Sequence, residues 1–244
     1  KLDLAKIGQK SEHNFVGVKC GLLDQITSLF GEEHGLVMTD FRSLEVKGVK
    51  IAGAIAGGEP CFVVCNTGVK HTLVDSEYNE RRARCEESAA FFKSVLPHPI
   101  AALRDVSWKE WEQHSPRMNP TAAKRAAHII GENTRVLKGV ELLKAGKPVE
   151  FGKLMFESHE SSRKNFENSC TELDVLVDTA ASLEGVAGAR LSGGGFGGCA
   201  LLLAGKNHAD KIASTLSAAY AKKFGRPCEC RIVRPSGGAQ ILVA

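Results

Sequence analysis

The feature that most constrains this chain is Gly193-Gly194-Gly195-Phe196-Gly197-Gly198, five glycines in six positions set between two apolar segments. Glycine gives up more backbone freedom on folding than any other residue, so such a run needs a compensating reason. Two reasons stay open from spacing alone: a ligand approaches the backbone closely, or another segment of the chain packs against it. The run also satisfies G-x-G-x-x-G through Gly193, Gly195 and Gly198. A dinucleotide site, however, needs a helix opening directly after the glycines. Cys199-Ala200-Leu201-Leu202-Leu203 follows instead, the pattern of a buried strand, and the dinucleotide reading fails.

Around the loop, hydrophobic patterning predicts strands at 187–192, 199–204 and 228–233, with a helix from an Asn207 cap to Phe224, stopped by Gly225. Further upstream it predicts a strand at 61–65 and a helix opening at Asp75-Ser76, whose inner face carries Tyr78, Cys85, Ala89 and Phe92. Pro97 and Pro99 end that pattern, and helices follow at 120–145, 149–165 and 173–183. The order is β-α-β-β-α-β with inserted helices, an α+β chain whose larger part is a ferredoxin-like split βαβ unit. Before it, a short amphipathic helix at 22–30 and strands at 35–39 and 49–55 read as the last part of a first domain. The expected division is 1–60 and 61–244. Lys1-Leu2-Asp3-Leu4-Ala5 reads like the end of a helix without an initiator Met, so the start is expected upstream.

Net charge is only +4, no Lys/Arg run exceeds two residues, and there are two Trp and two Tyr, which gives no electrostatic footprint for nucleic acid. The apolar stretches fall well short of the roughly 20 residues of a membrane helix. Most of the eight cysteines lie in apolar runs such as Cys61-Phe62-Val63-Val64-Cys65, where a reduced thiol acts as a small core residue. Neither Cys61/Cys65 nor Cys228-Glu229-Cys230 has paired CxxC spacing, and His13, His71 and His159 lack metal spacing. A soluble cytoplasmic protein without metal ligands or disulfides is the expectation, and no G-x-S-x-G turn suggests a hydrolase.

Three segments read together resemble the galactokinases, within the GHMP kinase superfamily that includes homoserine, mevalonate and phosphomevalonate kinases. They are Gly8-Gln9-Lys10-Ser11-Glu12-His13-Asn14-Phe15-Val16-Gly17 running on to Cys20-Gly21-Leu22-Leu23-Asp24-Gln25; Asn66-Thr67-Gly68-Val69-Lys70-His71-Thr72-Leu73 with Ser76-Glu77-Tyr78-Asn79-Glu80-Arg81-Arg82; and Leu191-Ser192 running into the glycine loop. The glycine loop is shared widely in that superfamily, whereas the Cys-Gly-x-x-Asp-Gln and Ser-Glu-Tyr-Asn stretches are more specific.

The resemblance implies ATP-dependent phosphorylation of galactose at its C1 hydroxyl, with residues 1–60 the end of an N-terminal α/β kinase domain and 61–244 the C-terminal domain. It implies that Asp24 is catalytic, that Gly21, Asp24 and Tyr78 contact the sugar, and that Gly193, Gly194, Gly195, Gly197 and Gly198 lie near phosphate. Without it, Asp24 is equally a first-turn carboxylate favourable to the helix dipole, Gly21 helix punctuation and Tyr78 a core aromatic. The family's Arg/Glu/His/Asp sugar signature and Ser-rich nucleotide loop are absent. The implied partners are therefore a sugar, ATP and Mg2+, with the metal ligands expected mainly upstream, and the chain is expected to be a monomer, inactive alone. A kinase for N-acetylgalactosamine, arabinose or a uronic acid, or a non-catalytic galactose- and ATP-binding regulator, is the alternative.

Overall fold

Hydrophobic periodicity at the start of the chain becomes two packed helices, α1 (Leu2–Ser11) and α2 (Leu23–Phe30), which bury Ala5 and Ile26 completely. The computed structural model describes residues 1–17, 20–69 and 74–241, without the side chains of Val16, Val74, Asp75, Ser76 and Tyr78. A hairpin of β1 (Gly35–Asp40) and β2 (Glu45–Lys50) follows. The strand expected at 49–55 is thus corrected to Glu45–Lys50. Asp40 turns the chain early, its Oδ1 accepting the Arg42 and Ser43 N–H groups at 2.8 and 3.3 Å and its carbonyl accepting from Leu44 N at 2.7 Å. Residues 51–55 then find little to pair with, apart from an Ile51 N–H to the His34 carbonyl and a bridge between Ile55 and Gly58.

The second sheet contains β3 (Pro60–Asn66), β4 (Val186–Ser192), β5 (Cys199–Gly205) and β6 (Glu229–Val233) in the order β4-β5-β3-β6, with every neighbour antiparallel. Between β3 and β4 run α3 (Val74–Val95), α4 (Trp108–His114), α5 (Pro120–Lys144), α6 (Pro148–Ser161) and α7 (Thr171–Ala181); α8 (Ala209–Phe224) joins β5 to β6. This is the ferredoxin-like split βαβ plan with inserted helices.

Alternation sorts the strand residues by face. Cys61, Val63, Cys65, Ala189, Leu191, Ala200 and Leu202 enter one core with α7 and α8, centred on Leu173, Leu176, Leu216 and Tyr220. Phe62 and Leu203 face the other way, toward Met155 of α6. There α6 rests on β4 almost backbone to backbone, since a Cβ on Gly152 would run into the Ala187 carbonyl and one on Gly188 into Gly152 itself. Phe92, Ile100, Leu103, Val106, Ala126 and Ile130 form a separate core among the inserted helices.

Two local features differ from the sequence reading. The α4 helix was not anticipated, although Ser107 and Glu110 form a reciprocal capping box at its start. The helix expected to start at an Asn207 cap begins at Ala209, after a tight turn over Lys206–His208. No helix among the described residues is long and apolar enough to cross a membrane.

Candidate active site

Asp24 lies in the first turn of α2, exposed, with no hydrogen-bond partner among the described residues. The segment before it is pinned from α1 and its continuation. The Cys20 carbonyl lies 3.1 Å from Gln9 Nε2, which donates to it, and 2.8 Å from His13 Nε2. Exposed Gly21 therefore separates a fixed carbonyl from the helix start. At the other end, Gly238 N donates to the Gly31 carbonyl at 2.8 Å and Ala239 N to the Ser28 carbonyl at 2.9 Å. The chain beyond β6 thereby ties α2 to the second sheet, with Gly238 so close to Leu29 that a Cβ there would strike its carbonyl.

The glycine loop shows that both reasons for its composition hold at different positions. Gly195 (φ +86°) lies where a Cβ would collide with the Asn168 carbonyl, and Gly197 (φ +122°) where it would stand 2.8 Å from the Val69 carbonyl. Those two glycines admit other segments of the chain. Gly193, Gly194 and Gly198 instead face open space on the side of a missing Cβ, leaving room beside the backbone. Asn168 clamps the loop, its carbonyl accepting from Phe196 N at 2.7 Å and its Nδ2 donating to the Gly194 carbonyl at 3.0 Å; its buried Oδ1 has no partner among the described residues. Just past the end of β3, Thr67 donates both N–H and hydroxyl to the Gly198 carbonyl at 2.9 Å. Tyr220, fully buried in α8, donates its hydroxyl to the Thr67 carbonyl at 2.8 Å.

Sequence reasoning assigned no role to Arg81, yet its guanidinium binds several segments at once. It lies 8% exposed in α3, donates to the carbonyls of Phe166 and Glu167 at 2.9 Å each, and pairs with Glu77 and Glu80 at 2.9 and 2.6 Å. It also lies 5.3 Å from the Phe196 ring centroid within the glycine loop. Arg125 assists from α5, donating to the Asn165 carbonyl at 2.6 Å and to Glu167 at 2.8 Å. These bonds hold the wide turn Ser162–Phe166 and the left-handed residue Glu167 (φ +54°) that present Asn168. The available signal was an arginine inside the Ser-Glu-Tyr-Asn segment, one turn beyond Tyr78.

Tyr78 lies on α3, and its side chain is outside the described part, as are residues 70–73 of the same motif. The α3 start and the glycine loop are thus brought together through Arg81 and Phe196. Asp24 and Gly21 form a second group, joined by no described hydrogen bond to that loop. One turn after Asp24, Thr27 and Ser28 border a cleft of about 780 Å³ whose floor includes Phe62, Met155 and Leu201. Glu132 at its edge accepts from Ser158 at 2.7 Å and Arg135 at 2.6 Å. Burial would raise its carboxyl, but the Arg190 and Arg135 charges and those bonds keep it below the usual range.

Behind β4, His159 is 2% exposed. Its Nδ1 accepts from Leu191 N at 3.2 Å, which leaves Nε2 as the donor to Asp174 at 3.1 Å and fixes the strand before the loop. The described residues include no group of three or more His, Cys, Asp or Glu arranged to hold a metal ion.

Residues 140–222 match the family GHMP kinases C terminal, and the sheet, inserted helices and glycine loop have the fold of that kinase class. The galactokinase of Chloroflexus aurantiacus is 38% identical over 99% of the chain, and that of Haemophilus influenzae 39% over 98%. The crystal structure of Lactococcus lactis galactokinase complexed with galactose superposes with a TM-score of 0.90 at 31% identity, covering 99% of this chain and 61% of that one. The chain is therefore similar to these galactokinases along nearly its whole length. It spans about 60% of the length of these curated relatives. A homoserine kinase from Cytophaga hutchinsonii, at TM-score 0.55 and 16% identity, shares the fold alone.

Proposed function

We propose that the chain supplies the catalytic helix and C-terminal domain of an ATP-dependent kinase that phosphorylates galactose at its C1 hydroxyl. Residues 1–60 end the first domain and 61–244 form the second. The observation that supports this most directly is Asp24, an exposed carboxylate without a partner among the described residues, at the start of a helix held at both ends, in a chain similar to galactokinases throughout.

Asp24 orients the sugar hydroxyl toward the γ-phosphate. A carboxylate is a weak base toward an alcohol, but a loose phosphoryl-transfer transition state leaves little charge on the nucleophile until late. Asp24 therefore accepts the proton late. Gly21 admits the sugar beside the backbone and Tyr78 contacts it from α3. The open flanks of Gly193, Gly194 and Gly198 suit a phosphate, and ATP supplies the transferred group. The described residues offer no acidic set for Mg2+, whose ligands belong to the upstream part that the longer relatives carry. On this reading the chain alone, a cytoplasmic monomer, does not turn over.

The test joins the chain to that upstream part and follows coupled ATP turnover with a panel of sugars. Galactose should stimulate most. Asp24→Asn should then lose most turnover while galactose binding by calorimetry changes far less; near-normal turnover in that variant rejects the assignment.

A further inference from the structure

A cluster of three thiols lies apart from the groups discussed above. Cys65, at the inner face of β3, stands directly opposite Cys230 of β6 in the antiparallel register, and their Sγ atoms are 3.1 Å apart. Cys228 Sγ lies 3.6 Å from Cys230 Sγ on the same side. Cys65 is fully buried and Cys228 is 5% exposed, whereas Cys230, on an edge strand, is only half-buried.

The three possible pairings differ in geometry. Residues directly opposite in an antiparallel pair have Cα atoms about 4.5 or 5.5 Å apart, both within the span a disulfide bridges. Cys228 lies one residue before β6 and two positions from Cys230; in extended backbone such residues are about 6.6 Å apart with near-parallel Cβ directions, which a disulfide closes poorly. Cys228 and Cys65 are not opposite each other.

We propose that Cys65 and Cys230 are an oxidation site, closing into a cross-strand disulfide when hydrogen peroxide reaches the edge of β6. The Cys230 thiolate attacks the peroxide: an S–O bond forms, the O–O bond breaks, and the leaving hydroxide takes up the thiol's proton as water. Cys65 Sγ then attacks Cys230 Sγ; the S–S bond forms, the S–O bond breaks, and the hydroxyl departs with the Cys65 proton as a second water. Two thiols are oxidised and the peroxide is reduced. Hydrogen bonding to Cys228 and burial push the Cys230 thiol up to about 12, so the first step runs through the small thiolate fraction of the accessible Cys230 and quickens as pH rises. The site does not depend on the phosphotransfer reading. Its disulfide would lie two residues before Thr67, where β3 meets the glycine loop.

The test exposes the folded chain to hydrogen peroxide, counts thiols after quenching in denaturing urea, and maps cystine-linked peptides by mass spectrometry. Titratable thiols should fall from eight to six, with Cys65 linked to Cys230 and dithiothreitol restoring both. Cys228→Ser should keep the link, whereas Cys230→Ser and Cys65→Ala should each abolish it while retaining a cooperative urea transition. The same oxidant in urea should scramble the pairing. Persistence of eight thiols, a dominant link between any other pair, or stable S-oxygenation of Cys230 without a link would overturn the proposal.

Discussion

Two pairs of arginines tie together distant segments of this molecule, and they do so in opposite ways. Arg42 and Arg104 make forked pairs with Asp105 and Asp40 at 2.7 and 2.9 Å, fastening the β1–β2 turn to the inserted helices; their side chains are 49% and 41% exposed. Arg81 and Arg125 are 8% and 3% exposed and spend much of their donor capacity on backbone carbonyls of one turn. In the first pair water can replace each partner. In the second, removal of the guanidinium leaves backbone carbonyls of a packed turn without a donor, while the carboxylates of Glu77, Glu80 and Glu167 stay within reach of water. Short contacts of the same length therefore carry very different weight, and the heavier set lies beside the glycine loop.

The contrast breaks most sharply at Arg81. Arg81→Ala should cost about 4 kcal/mol in urea unfolding, roughly 2 kcal/mol for each of the Phe166 and Glu167 carbonyls left without a donor, and should speed amide exchange across residues 193–198. A loss below about 1 kcal/mol would mean that water substitutes there as it does at the surface. Next is acid sensitivity. His128 stacks on Phe166 at 4.5 Å and burial pushes its imidazole down to about 4 from 6.5. As pH falls the unfolded chain protonates first, so the stability this group lends is complete above 6.5 and is lost by about 4. The loss should be on the order of 3 kcal/mol, and His128→Asn should flatten the profile in that window.

A smaller effect belongs to Gly195→Ala. The left-handed backbone and the Asn168 carbonyl together should cost about 2 kcal/mol, and the Phe196 amide should lose exchange protection. Smallest is Arg42→Ala, whose shift in urea midpoint should be slight and should vanish at about 1 M salt. The Arg104 and Arg42 guanidiniums hold Asp40 and Asp105 well below the usual carboxylate range. What these pairs contribute is present above pH about 4 and is lost on further acidification.

The sequence made the sheet legible because its strands are apolar on both faces and bounded by glycine or proline, as at Gly58-Glu59-Pro60 and Gly225. The second strand of the hairpin was misplaced because Glu45-Val46-Lys47-Gly48-Val49-Lys50 is mostly exposed, while the more apolar 51–55 lacks an edge to join. The Ser107–Glu110 capping box announced α4 and was passed over. Asp24 and the glycines were readable from local motifs. Arg81, Asn168 and Thr67 were not, because their importance lies in contacts that span up to 153 residues of sequence, which no local pattern encodes.

The strand order has a temporal consequence. The central strand β3 is complete at Asn66, but its two neighbours begin at Cys199 and Glu229. During synthesis an apolar strand, Cys61-Phe62-Val63-Val64-Cys65, therefore waits with both edges unpaired until most of the chain has emerged. Long-range closure of this kind is slow. The inserted helices, with a core of their own around Phe92 and Ile130, can assemble in the meantime, so the sheet that carries the glycine loop is the last part of the molecule to be finished.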